Sequence, residues 1–164
     1  MRIALRVALI ALLLGLGVWG WMALHPAPEK VIRKILNEAA QCVAFKSDQG
    51  DLSRLASAQK LGDYFTADAR VLIDAPDGGK HVLEGREEIK EAAALAGRFI
   101  RNAKIELVGF NILLTSGKTA AEVEFTARFT LPDDDLNVQE LKALMKLTNG
   151  DWLIERVETV KVLQ

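Results

Sequence analysis

The sequence predicts a single α+β domain, in which a curved, mostly antiparallel sheet packs on three helices, preceded by one N-terminal transmembrane helix. Three observations support this prediction. The chain begins with an uncharged apolar run, its middle alternates helical-period segments with short β-runs, and roughly the last 60 residues place apolar side chains at every second position. With 164 residues, half of them hydrophobic, the chain suits one domain with one core.

The N-terminal segment, residues 1–24, is predicted to be an uncleaved membrane anchor. Val7–Leu24 runs for 18 residues without a charge, which is long enough to cross a bilayer, and it follows Arg2 and Arg6. Residues 21–26 offer no Ala-x-Ala cleavage pattern. We therefore expect a single-pass protein of the cell membrane, held through residues 7–24. Its C-terminal domain would be extracytoplasmic, which means periplasmic in a Gram-negative bacterium.

The domain itself is predicted to span residues 29–164, behind a short proline-containing spacer at residues 25–28. The formal net charge of −1 becomes −3 without the two arginines of residues 1–24, so no basic surface is available for nucleic acid. Cys42 is the only cysteine, which excludes an internal disulfide and a cysteine-based zinc site. His81 is the only histidine of the domain, and no metal or cofactor is predicted.

Helices and short strands are expected to fill the first half of the domain. The predicted segments are a helix from Glu29 to about Phe45, a helix from Asp51 to about Gly62, a β-run ending at Asp74, a strand at His81–Leu83 and a helix opened by Gly85. The apolar positions of the second helix are Leu52, Leu55 and Ala56, and those of the third are Ile89, Ala92, Ala93, Ala96 and Phe99. The two short strands are expected to pair as a hairpin.

Four longer β-runs complete the chain: Lys104–Thr115, Lys118–Leu131, Asn137–Thr148 and Trp152–Leu163. Their strict alternation gives one dry face, which must be buried against the helices as a cone. The last run breaks this alternation, because Trp152 and Ile154 share their parity with Arg156 and Glu158. Either a β-bulge resets the register, or Arg156 and Glu158 project into the cone as a charge pair.

The order of the elements and three short sequence motifs resemble the nuclear transport factor 2-like superfamily, which includes SnoaL-like cyclases, ketosteroid isomerases and scytalone dehydratases. The motifs are Phe65–Val71, Gly85–Ile89 and Asn149–Ile154, and the resemblance covers residues 29–163. It implies a curved sheet wrapped around a helix to form a conical cavity. In different members that cavity is catalytic, ligand-binding or structural, so the fold does not choose a function.

Asp74 and His81 are the candidate catalytic residues. Asp74 lies eleven residues before Gly85, which is similar to the place where ketosteroid isomerases carry their aspartate base. A carboxylate aimed into an apolar cone would have a raised pKa and would accept a proton, with His81 as its partner. The resemblance also implies a tyrosine from the first helix and a second aspartate. Residues 29–45 contain no tyrosine, and the matching strand positions are Ala143 and Met145. Alternatively, Asp74 caps a turn and His81 is exposed.

The predicted ligand pocket consists of Tyr64, Phe125, Phe129, Met145, Trp152 and Arg156. Three functions remain open, and a non-catalytic one is favoured. The first is an extracytoplasmic module that binds a small apolar molecule or a partner protein. The second is a scaffold in a membrane complex, resembling the inner-membrane scaffold subunits of type IV secretion systems or Mce-associated proteins. The third is a cofactor-free lyase or isomerase using Asp74. A homodimer through the sheet is also left open, although the outer face is charged.

Overall fold

The computed structural model describes residues 27–46, 48–74, 79–100, 102–130 and 136–160. The predicted anchor lies outside these residues, and within them no helix is both long and apolar enough to span a membrane. The chain divides into two units, residues 1–31 and 32–164, and the architecture below is that of the second unit.

Within the described residues three helices form, as the periodicity predicts: α1 (Pro28–Cys42), α2 (Asp51–Asp63) and α3 (Arg86–Phe99). The buried residues of α1 and α3 recur at intervals of three or four, which places them on one helical face. They are Ile32, Leu36, Ala39 and Cys42 in α1 and Ile89, Ala93 and Gly97 in α3. Gly85 precedes α3 with a φ of +86°, a left-handed conformation that favours glycine.

The apolar residues at the outer ends of α2 and α3 correct the sequence prediction. Leu52 is 85% exposed and Phe99 is 78% exposed, although both were assigned to apolar helix faces. Helix α2 instead buries Ala58, Leu61 and Gly62 near its C-terminus. Gly62 packs so closely on Lys90 of α3 that a Cβ atom there would lie 2.5 Å from the lysine side chain. The helix pair is therefore held at the C-terminal end of α2.

In the part of the chain that the structure describes, six strands form one sheet: β1 (Phe65–Asp74), β2 (Lys80–Glu84), β3 (Lys104–Leu114), β4 (Ala120–Thr130), β5 (Leu136–Thr148) and β6 (Asp151–Thr159). Their order is β2-β1-β6-β5-β4-β3. The β1–β6 pair is parallel and the other four pairs are antiparallel. The predicted element order and the mostly antiparallel sheet are thus confirmed.

Residues of the sheet alternate between an inner face, which packs on the helices, and an outer face, which carries the charges. On the inner face Val123, Ala127 and Ala143 have no exposed surface, and Met145 and Ile154 retain 1%. Phe125 is also buried, so the inward direction of the apolar alternation is confirmed. Among the described residues no polar or charged side chain is fully buried, which makes this core dry.

Two β-bulges shape the inner face. In β3, Gly109 and Phe110 together oppose the single residue Phe125 of β4, and Gly109 has a φ of +69°. In β6, Glu155 is the extra residue, because Met145 pairs with Ile154 while the preceding Leu144 pairs with Arg156. The second bulge resets the parity of the last strand, which confirms the first of the two predicted alternatives.

Candidate functional site

A cavity of about 350 Å³ lies between the inner face of the sheet and the helices. Every side chain that lines it is alanine, valine, leucine, isoleucine or phenylalanine. Helix α1 contributes Leu36, Ala39 and Ala40, and Val43 follows directly after it; α2 contributes Leu61, and α3 contributes Ile89, Ala92, Ala93 and Ala96. The sheet contributes Phe65, Val71, Ile73, Leu83, Ile105, Leu107, Phe125, Ala127, Phe129, Leu141, Ile154 and Val157. The cavity therefore has an entirely hydrocarbon wall.

An aromatic stack supports this wall from the edge of the sheet. The bulge at Gly109 brings the ring of Phe110 against Phe125, with ring centroids 5.7 Å apart. The guanidinium of Arg33 on α1 lies over Phe110, 5.2 Å from its ring centroid. A cation–π contact at such a partly exposed place contributes about 0.5–1 kcal/mol. The stack links α1 to the edge strand beside the cavity.

The predicted pocket residues separate into groups. Phe125 and Phe129 line the cavity, as the alternation of β4 requires. Met145 and Trp152 are buried on the same inner face but are not among the residues that line the cavity. They lie toward the closed end of the cone, where they fill the core.

Tyr64 lies outside the cavity, between α1 and α2. Its hydroxyl donates a hydrogen bond to Glu38 Oε2 at 3.1 Å. Burial raises the pKa of Tyr64, and the hydrogen bond to the Glu38 carboxylate and its negative charge raise the pKa further. The nearby Tyr64, through its negative charge when ionised, raises the pKa of Lys60, and burial raises the pKa of the Cys42 thiol. This cluster joins two helices, and its buried thiol is a poor nucleophile.

Arg156 also lies away from the cavity, because the bulge at Glu155 turns its side chain to the outer face. Val157 takes the inner position and lines the cavity. On the outer face Arg156 forms an ion pair with Glu158, with Nε and Oε2 3.5 Å apart. The alternative in which this pair projects into the cone is therefore wrong, and the place of Arg156 in the pocket has no geometric support.

The two candidate catalytic residues lie on strands that do form the predicted hairpin. The register pairs Asp74 with Lys80 and Ile73 with His81. Ile73 lines the cavity, so its strand neighbour Asp74 projects from the outer face. The backbone N–H of Asp74 donates to Thr159 Oγ1 at 3.2 Å, and its carbonyl oxygen accepts a hydrogen bond from Gln139 Nε2 at 3.1 Å. The Asp74 carboxylate is thus not directed into the cone.

The chemistry available to the cavity follows from its lining. General acid–base catalysis needs a titratable side chain within hydrogen-bond reach of the substrate, and the lining residues include none. Among the described residues no cluster of three or more histidine, cysteine, aspartate or glutamate side chains has the proximity to hold a metal ion. Of the lining residues that sequence reasoning left out of the pocket, ten lie on strands of the sheet, and most of the others come from α1 and α3. Their apolar stripes were visible in the sequence as helix faces.

Comparisons with known proteins support the fold. No family model matches the chain, and no curated protein matches it. A domain of unknown function with a cystatin-like fold from Nostoc punctiforme is 16% identical, with a TM-score of 0.64 over 85% of this chain and 80% of that one. A protein of Novosphingobium aromaticivorans, named as a candidate scytalone dehydratase, is 16% identical, with a TM-score of 0.60 over 81% of this chain and 84% of that one.

A further solved structure from Novosphingobium aromaticivorans is described by its fold. It is a nuclear transport factor 2-like protein with a cystatin-like fold, 15% identical, with a TM-score of 0.60 over 80% of this chain and 79% of that one. Residues 32–160 therefore have the nuclear transport factor 2-like, cystatin-like fold. Sequence identities of this size establish the fold alone.

Proposed function

We propose that this protein is a membrane-anchored, extracytoplasmic module that binds a small apolar molecule in the cavity between its sheet and helices, without catalysing a reaction. The observation that carries the proposal is the all-hydrocarbon lining of a cavity of about 350 Å³. That volume falls at the small end of the roughly 300–1,000 Å³ range of ligand pockets in proteins.

The composition of the wall selects the ligand. Transfer of apolar surface from water to such a wall is favourable by about 25 cal/mol per Å². A polar group placed against the same wall would lose its hydrogen bonds to water, at a cost of about 1–3 kcal/mol or more. The cavity therefore favours a hydrocarbon-rich molecule over a polar metabolite.

The anchoring part of the proposal rests on the sequence. The uncharged run at residues 7–24 has the length and hydropathy of a membrane span, and the spacer of residues 25–28 is short. Alkaline carbonate extraction of membranes from cells that express the full-length chain tests it. We expect the protein to stay in the membrane pellet, and its release into the supernatant would contradict the anchor.

The two alternative functions require different features. A lyase or isomerase based on Asp74 needs that carboxylate inside the cone, whereas it projects from the outer face. A scaffold of a membrane complex needs a partner surface, and the outer face of the sheet carries paired charges, such as Lys142 with Glu122 at 2.7 Å, beside exposed apolar residues such as Leu136 and Val138. Neither alternative explains the apolar cavity.

Ligand binding is tested with full-length protein and N-phenyl-1-naphthylamine, a dye whose fluorescence rises in apolar surroundings. We expect saturable binding to the wild type and its loss in Ala96→Phe, because Ala96 lines the cavity. The matched control is Ala94→Phe on the same helix, since Ala94 lines a separate surface groove between α2 and α3. Loss of binding in Ala94→Phe with retention in Ala96→Phe would move the site to that groove and contradict the proposal.

A further inference from the structure

At one end of the inner face the apolar lining of the cavity gives way to polar residues on β2, β5 and β6, whereas Ile105 and Phe129 keep it apolar on β3 and β4. Continuing along the inner positions, Leu141 of β5 is followed by Gln139 and Asn137, and Val157 of β6 is followed by Thr159. On β2, His81 occupies the inner position opposite Ile73. All of these polar positions lie at the same end of the strands, where β1 and β6 end and where β2 and β5 begin. We call His81, Asn137, Gln139 and Thr159 the polar rim.

The polar rim is more exposed than the opposite end of the inner face. At the opposite end the inner residues Val123, Met145 and Ile154 are 0–1% exposed, which closes the cone. At the rim, by contrast, His81 is exposed and the other three residues are partly exposed. The inner face therefore changes from buried apolar residues at one end to exposed and partly exposed polar residues at the other.

Two members of the rim are held in place by backbone hydrogen bonds to β1. Gln139 uses its amide nitrogen to donate to the carbonyl oxygen of Asp74, and Thr159 uses Oγ1 to accept from the Asp74 N–H. These bonds leave the Gln139 amide oxygen as an acceptor and the Thr159 hydroxyl hydrogen as a donor. Side chains that are already fixed lose little freedom when they bind a ligand group.

We infer that the ligand is an amphiphile with one uncharged, hydrogen-bonding head group, such as a hydroxyl, carbonyl or amide. This inference rests on the proposed function. The apolar part of the ligand fills the cavity, and Gln139 and Thr159 bind the head at the rim, with His81 and Asn137 beside them. At the roughly 30 Å³ that a water molecule, close in size to a methylene group, occupies in a liquid, about 350 Å³ accommodates a saturated chain of about ten to twelve non-hydrogen atoms.

The charges around the rim explain why the head is uncharged. Lys80 pairs with Asp74, and Lys104 precedes the inward Ile105, so both lysines belong to the outer face. Among the described residues, no lysine or arginine occupies an inner position at this end of the sheet. A carboxylate or phosphate head would give up part of its hydration at this partly exposed rim without a cationic partner to offset the loss.

The test uses 1-nonanol and 1-chlorononane, two compounds of the same chain length. Only the alcohol has a hydroxyl that can form hydrogen bonds with the polar rim. Each compound is titrated to displace N-phenyl-1-naphthylamine from the full-length protein. We expect Gln139→Leu and Thr159→Val each to weaken 1-nonanol about threefold to tenfold, the value of one hydrogen bond, and to leave 1-chlorononane unchanged. Thr126→Val, an identical change on the outer face of β4, is the control and should alter neither.

The outcomes separate the two proposals. If the wild type binds both compounds and the rim variants weaken them equally or not at all, the polar rim does not recognise the head group, which overturns this inference and leaves only the apolar cavity. If the wild type binds neither compound nor the dye, the proposed function fails and this inference fails with it. Should Gln139→Leu not fold, Thr159→Val, which is nearly isosteric, still decides the question.

Discussion

Asp74 and His81 lie on paired strands but project from opposite faces of the sheet. The register sets Asp74 opposite Lys80 and His81 opposite Ile73, and only Ile73 of this group lines the cavity. Opposed residues of an antiparallel pair share a face of the sheet, whereas successive residues along one strand point to opposite faces. Asp74 therefore lies on the face opposite to that of Ile73 and His81. A proton relay between Asp74 and His81 inside the cone is therefore incompatible with this hairpin.

The first prediction compares Asp74 with its neighbour. Asp74→Asn should leave binding of N-phenyl-1-naphthylamine unchanged and should alter the free energy of unfolding by less than about 0.5 kcal/mol, as for most surface substitutions. Ile73→Asn, one residue earlier, places an amide against the apolar lining and should destabilise by about 1–3 kcal/mol while weakening the dye. Urea unfolding and dye titration measure both effects. A larger loss of dye binding in Asp74→Asn would return Asp74 to the site.

The second prediction concerns the pKa of Tyr64, the single tyrosine of the chain. Burial and the Glu38 carboxylate both favour the neutral phenol, so its pKa in the folded protein lies above the usual value of about 10. The neutral phenol therefore contributes stability that is fully present below pH 10 and is lost as the pH rises through the folded pKa. Absorbance at 295 nm against pH should show one transition above pH 10. A transition at pH 10 or below would contradict the partly buried hydrogen bond to Glu38.

Glu38→Gln separates the effect of burial on the pKa of Tyr64 from the effect of the Glu38 charge. Glutamine can still accept a hydrogen bond from the hydroxyl, but it removes the negative charge that opposes ionisation. The pKa of Tyr64 should therefore fall relative to the wild type and remain above 10, because burial is the largest cause of the shift. A pKa that does not move in Glu38→Gln would show that the carboxylate does not contact the phenol in solution.

The third prediction tests the bulge in β6. Deletion of Glu155 removes the extra residue and makes Ile154 and Arg156 consecutive, so Arg156 keeps its outer position and Val157 its inner one, and the deletion should cost about 1 kcal/mol of unfolding free energy or less. Deletion of Val157 shortens the strand equally but gives its inner position to a charged neighbour, Arg156 or Glu158. Burial of that charge in a hydrocarbon wall should cost several kcal/mol of unfolding free energy. Equal effects of the two changes, measured by urea unfolding, would show that the bulge does not set the register.

The fourth prediction compares two phenylalanines of opposite burial. Phe125→Ala removes a buried ring that lines the cavity and stacks on Phe110, and it should destabilise by about 3–5 kcal/mol. Phe99→Ala removes a ring that is 78% exposed and should change stability by less than about 0.5 kcal/mol. Similar losses in the two variants would mean that Phe99 is covered in the protein in solution.

The sheet was predictable from the sequence because its signal is local. Period-two alternation in β4 and β5 assigns Val123, Phe125 and Met145 to the inner face without knowledge of any partner strand. The break in the apolar alternation of the last strand also indicated that its register or its inward side chains were irregular. Its resolution as a bulge at Glu155 depends on pairing with β5, which a single sequence leaves open.

The site was less predictable because it depends on which faces meet. Tyr64 is aromatic and precedes a strand, yet its side chain turns to Glu38 between two helices, and it is Phe65 that lines the cavity. Leu52 and Phe99 have the composition of core residues, but the helix pair closes at Gly62 and Lys90, far along α2 from Leu52. The polar rim emerges only when the registers of four strands are combined.

The central claim is that the cone encloses an apolar space that a small molecule can enter. Xenon tests this most directly, because it enters dry apolar cavities without a hydrogen-bonding requirement. In methyl NMR spectra of the full-length protein under xenon pressure, we expect saturable shifts at methyl groups of Ala39, Ala127 and Leu141, with little change at the exposed Leu52 and Leu113. Shifts confined to the exposed leucines, or their absence at the lining methyls, would show that the space between sheet and helices is filled.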